Sequence, residues 1–286
     1  MSRLLTLLLA ARLTLAAPVL AQDPAMPAMG AQPGALASRP PVDSLRTAAQ
    51  VRAYLGRTMA GETPDLSGLD LSGLDLTRVD FHKANLTGSR LVGAHLDGAD
   101  LFACDLTDAV ATGATFEGAN LDGTTLRRAD LRRARLFKAS LFATIVEATD
   151  LREADLRETR IIGYLGKANL AGARLTGANI GADPGNQSMG VMRAQFVGAD
   201  LSGADLSHAN LFKADLSFAS LAGANLSGAD LRNAELVQAD LSRADVTGVD
   251  LTLADLNGAI FTGATGVATL KGLDRARNRD KAIFDQ

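Results

Sequence analysis

The chain is short of the residues that usually announce a function. It has no tryptophan, one cysteine and three histidines among 286 residues, and its formal net charge is −3. A single thiol cannot close an internal disulfide, so cysteine usage leaves the compartment open. A charge so nearly balanced argues against a strong polyanion mimic. The one apolar run, Leu4 to Leu20, is interrupted by Arg12 and is too short and too broken to span a membrane.

What the chain has instead is a period. From Ala199 to Asp215 it reads ADLSGADLSHANLFKAD, with a leucine every fifth residue and an alanine two positions before each. On an α-helix, steps of five smear the leucines around every side. On a flat strand an odd step sends successive leucines to opposite faces. Within one repeat, however, Ala204 and Leu206 point one way and Asp205 the other. Turn formers follow, as in Ser202-Gly203, Thr87-Gly88 and Ser227-Gly228. Each pentad is therefore a very short strand and a corner, and a chain that always turns the same way encloses its leucines.

This tandem A(D/N)Lxx pattern resembles the pentapeptide-repeat family. The resemblance implies an all-β fold, a right-handed quadrilateral parallel β-helix with four pentads, twenty residues, to each coil. Central positions run in steps of five from Leu66 to Ile161, then slip by one to Leu165, Leu170, Leu175 and Ile180. They resume from Phe196 to Phe261, giving thirty-eight clear pentads. Leu66, Leu101, Leu136, Leu206, Leu226 and Leu241 are expected in the core. Four pentads per coil make nine to ten coils, a rod of roughly 45 Å at the spacing of paired strands. Ile161 to Phe196 spans a multiple of five, so the deletion and a later extra residue are expected to cancel and restore the register. Gly181 to Ser188 reads as a loop pushed out of the coil, with Val191 as a degenerate centre; its domain boundaries are 181–190.

A solenoid exposes unpaired edges at its ends. Residues 43–60 read as a capping helix, with Leu45, Ala48, Val51 and Leu55 near one face, an Asp43-Ser44 start and Gly56 as a stop. The repeats span 61–266. Residues 267–286, with Leu273, Ile283 and Phe284 as anchors, resemble the closing segment of other family members. At the other end, Arg3, the apolar stretch and Val19-Leu20-Ala21 read as a signal peptide over 1–21, cleaved after Ala21. Gln22 follows where a lipoprotein would have cysteine. Residues 22–42, rich in Ala, Pro, Met and Gly, read as a disordered linker. The expected location is periplasmic or secreted.

Chemistry is harder to find. On a twenty-residue coil the offsets of His82, His95 and His208 are 2, 15 and 8, so no two share a wall position for a metal site or a triad. Cys104 fills the small inward slot, as a packed residue would. Aspartates recur in an outward slot, the mark of a surface. No enzyme activity, catalytic residue, metal, cofactor or small-molecule substrate is expected.

The basic run Arg127 to Lys138 suggests an anion patch in isolation. Twenty residues on, Arg127 meets Glu147, Arg133 meets Glu153, Arg135 meets Asp155 and Lys138 meets Glu158. A ladder of ion pairs between coils is therefore expected, with Arg132 over Arg152 left as a basic spot, and direct nucleic-acid binding is not expected. Asp230, Glu235, Asp240, Asp245, Asp250 and Asp255 follow one another in the outward slot. The residues from Phe196 to Phe261 carry a net charge of minus six. Some members of the family that the chain resembles present an acidic, DNA-like rod to DNA gyrase and dimerise through their C-terminal ends. That resemblance supplies the alternative function, a modulator of gyrase or topoisomerase if the chain is cytosolic, and suggests a homodimer. An exported chain would not meet gyrase. The first reading is thus an exported scaffold that binds an unidentified protein, with the outward Phe102 and Phe142, two coils apart at one offset, as contact points. Phe137 lies on the neighbouring wall and Phe212 further along.

Overall fold

The computed structural model describes residues 45–59, 61–81, 83–182 and 192–285. The signal-peptide and linker spans, His82, Val191 and most of the expected loop lie outside them. The rest is a parallel β-helix solenoid built almost entirely from single-residue bridges. The outward residue of each pentad pairs with the one twenty later, which sorts the chain into four columns, or walls. The first begins Asp65, Asn85, Asp105; the second Asp70, Arg90, Val110; the third Asp75, His95, Thr115; the fourth Asp80, Asp100, Asn120.

The pentad explains why. The central leucine donates its N–H to the coil above, as Leu66 does to the Asn85 carbonyl at 2.8 Å. The residue three later turns back on the same leucine, as Ala94 N–H does on the Leu91 carbonyl at 3.0 Å. The regular corners are thus hydrogen-bonded β-turns whose third residue takes a left-handed backbone, the conformation glycine adopts without strain. The six leucines named above are fully buried.

The outward slot has its own task. Its aspartate or asparagine accepts the N–H two residues on: Ser67 to Asp65 at 3.0 Å, Thr87 to Asn85 at 3.0 Å, Ser202 to Asp200 at 2.9 Å. These Asx turns fix the entry to each corner.

Two irregularities break the period. Strand β1 (Ser140–Ile145) pairs in parallel with β2 (Arg160–Tyr164), and the missing residue is absorbed as a shift between Phe142 and Thr144. A Cβ at Gly163 would collide with Thr144 backbone and Oγ1 atoms, so only glycine passes there. Pairing then runs from Arg160 to Asn179, and from Asn179 to Asn210. The first step is nineteen residues and the second thirty-one. The two coils take ten residues more than regular repeats would, half a coil. The expectation of a restored register therefore holds for pentad phase but not for the walls. Phe196 follows Leu165 on the first wall, two walls from where a count of twenty places it.

Helix α1 (Ala48–Leu55) starts at Thr47 rather than at Asp43-Ser44. Thr47 Oγ1 accepts the Gln50 N–H at 3.2 Å, and Gln50 Oε1 accepts the Thr47 N–H at 3.0 Å, a capping box. The helix buries Val51, Tyr54 and Leu55, and Arg52 donates to the Asp75 and Thr77 carbonyls of the first coil. At the far end the chain winds on in longer steps. Thr265, Lys271, Arg277 and Ile283 pair with Asp245, Asp250, Asp255 and Ile260, so each side now takes six residues. Short 3-10 turns follow left-handed Gly266, Gly272 and Asn278. Phe284 stacks on Phe261 with centroids 4.8 Å apart, but Val267, Leu270, Leu273 and Phe284 are only partly buried.

Candidate interaction surfaces

The acidic series does not form one face. Successive pentads visit successive walls, so acids spaced by five spiral around the coil. Asp230 and Asp250 lie on the fourth wall, Glu235 and Asp255 on the first, Asp240 on the second and Asp245 on the third. Acids that follow one another in the outward slot of the sequence therefore make no single row along the coil. These groups are also occupied locally. Asp240 accepts the Ser242 N–H at 2.8 Å; Asp245 takes both the N–H and the hydroxyl of Thr247, at 2.9 and 2.6 Å. Asp250 does the same with Thr252, and Asp255 accepts Asn257 N–H and Asn278 Nδ2. The Thr247 hydrogen bonds hold the Asp245 carboxyl below the ordinary aspartate value. At Asp230 burial pushes upward, but the bonds from Arg232 outweigh it and the net direction is down.

One network crosses coils. Arg193 binds Glu235 at 2.8 and 3.2 Å and Asp215 at 3.3 Å, two coils and one coil ahead. Asp215 is 9% exposed, so Arg193 neutralises a nearly buried carboxylate. Plain counting by twenty missed this set. Arg193 also helps line a shallow groove of about 580 Å³ with Lys213, Asn233, Leu253 and Arg277.

The basic run is saturated. Arg127 pairs with Glu147 at 3.3 Å, Arg133 with Glu153 at 2.8 Å and Lys138 with Glu158 at 3.5 Å. Arg135 departs from expectation: its ion pair is with Glu117, one coil back. No bare spot forms at Arg132 and Arg152 either, because each folds onto the aspartate of its own pentad. Arg132 meets Asp130 and Arg152 meets Asp150, both at 2.6 Å. Arg128, which the sequence left unassigned, pairs with Asp108 at 2.6 Å.

The aromatics are gathered more closely than expected. Phe102 and Phe142 lie on the fourth wall, two rungs and roughly 10 Å apart. The half-coil shift brings Phe212 onto the same wall, three rungs and roughly 14 Å beyond Phe142. Phe137 is on the third wall. Each fourth-wall ring carries a cation: Lys83 lies 5.6 Å from the Phe102 centroid, Arg160 4.2 Å from Phe142 and Lys213 5.2 Å from Phe212. Phe102 is 46% exposed. Two further apolar side chains project from corners, Phe218 at 57% and Leu253 at 41% exposure, both on left-handed backbone.

The remaining reactive residues stand apart. Cys104 is buried, and burial pushes its thiol up to about 12, far from a thiolate at neutral pH. His95 and His208 both lie along the third wall, but five rungs, roughly 24 Å, separate them. Among the described residues no group of histidine, cysteine and acidic side chains could hold a metal ion, and no helix is long and apolar enough to cross a membrane.

A family model described as pentapeptide repeats matches residues 65–101, 104–141, 192–228 and 224–263, with eight copies. No curated protein matches the chain. Solved structures do. One is HetL, a pentapeptide repeat protein involved in heterocyst differentiation regulation in the cyanobacterium Nostoc sp. strain PCC 7120. It is 29% identical over 84% of this chain and 100% of its own, with a TM-score of 0.48. Another is QnrB1, a plasmid-mediated fluoroquinolone resistance protein, 20% identical over 72% of this chain and 91% of its own, with a TM-score of 0.33. A third, from the Arabidopsis thaliana thylakoid lumen, is 29% identical over 44% of this chain and 71% of its own, with a TM-score of 0.19.

Proposed function

The chain belongs to the pentapeptide-repeat family, and from that premise we propose that it is a non-enzymatic scaffold, exported from the cytoplasm, that binds a protein partner along the fourth wall. The observation that carries the reading is the alignment of Phe102, Phe142 and Phe212, each with a basic neighbour, on one face of the solenoid. Aromatic side chains and arginine are enriched where proteins meet, and Arg160 over Phe142 and Arg232 over Phe212 supply that combination. In the finer form of this reading the solenoid is a right-handed coil of nine to ten four-sided turns, closed at its start by α1. Its partly covered C-terminal turn is where a second copy would dock.

Export rests on the basic start, the apolar stretch and the small residues before Ala21. The mature chain is expected to begin at Gln22 and to be periplasmic or secreted, free of cofactor and metal. The alternative, a DNA-like gyrase modulator, requires a row of free charge along one wall. Asp215, Glu235 and Asp255 do follow one another on the first wall, but Arg193 pairs with the first two and Arg277 lies 3.9 Å from the third, so the scaffold reading ranks first.

The test is proximity labelling from the exported chain and from its Phe102→Ser, Phe142→Ser, Phe212→Ser variant. A partner labelled by the parent and lost with the variant, at unchanged melting temperature, supports the reading. An identical labelling profile, or an intact Met1 in the cytosolic fraction, overturns it.

A further inference from the structure

We draw no further inference here: the strongest candidate, the fourth-wall column of Phe102, Phe142 and Phe212, belongs to the surface already described, and nothing in the structure shows what covers it beyond the chain's own cations.

Discussion

The preference for aspartate and asparagine in the outward slot has a backbone cause. Either side chain offers an oxygen to the N–H two residues on, and that bond sets the corner. The charge of the aspartate strengthens it. Asp245→Asn should therefore cost less than Asp245→Ala, which should cost about 1 kcal/mol, the typical worth of such a bond; urea unfolding of the two variants checks this. Equal losses would show that the charge matters more than the turn. The same bonds give a sign for acid. The carboxyls of Asp65, Asp75 and Asp245 sit below the ordinary aspartate value of 3.8 in the folded chain, held there first by the side chain and then by the backbone N–H of the residue two on. Their contribution is fully present above that unfolded value and is lost as pH falls through the lower folded values. The urea midpoint should hold down to about pH 5 and fall below about pH 4. A midpoint that rises on acidification would contradict this origin.

At the scale of elements, the pentad and its exceptions are held by different means. The ion pairs between coils are exposed, and such pairs are individually worth little. Arg133→Ala should thus shift the melting temperature by no more than about a degree or two, less in high salt. The β1–β2 junction is less tolerant. Gly163→Ala forces a methyl group into the Thr144 backbone, a cost of about 1–3 kcal/mol or more. The same substitution at Gly198, where a Cβ meets open space, should cost only the roughly 1 kcal/mol of the left-handed backbone. A smaller loss at Gly163 than at Gly198 would contradict the close approach.

Sequence carries these elements unequally. Leucine at every fifth position, with alanine two before it, fixes which side chains point inward, and all six core leucines are buried. The slip at Ile161 to Leu165 was visible because it changes that phase. The re-phasing after Ile180 was not visible, because ten residues are two whole pentads and leave the phase intact while moving every later residue by two walls. For the same reason the sequence separated Phe212 from Phe102 and Phe142. Six acids that follow one another in the outward slot are likewise dispersed over four walls by the coil. Arg193 reaching Glu235 was hidden too, since its partner lies beyond one coil and past the irregular stretch.

For the whole molecule the two ends differ. Leu66, Leu71, Leu76 and Phe81 of the first coil are fully buried, whereas Val267, Leu270, Leu273 and Phe284 of the last turn are only partly buried. A second copy seated on that turn would cover them. The chain from Gln22 onward should run as a dimer by light scattering, and Ile283→Asp should make it a monomer with unchanged circular dichroism. A monomeric parent at tens of micromolar would remove this part of the account.

The solenoid re-phases by half a coil, and that shift brings Phe212 onto the wall of Phe102 and Phe142. Asn179 and Asn210 then face each other on adjacent rungs, with Asn210 Nδ2 donating to Asn179 Oδ1 at 2.9 Å. Neighbouring rungs lie about 4.8 Å apart, within reach of a disulfide. If the register simply recovered, Asn179 would instead lie under Asp200. The measurement is oxidative cross-linking of two double variants, Asn179→Cys with Asn210→Cys and Asn179→Cys with Asp200→Cys, each with Cys104 replaced by alanine. Rapid, near-complete closure of the first pair and none of the second is expected. Closure of the second pair without the first would contradict it.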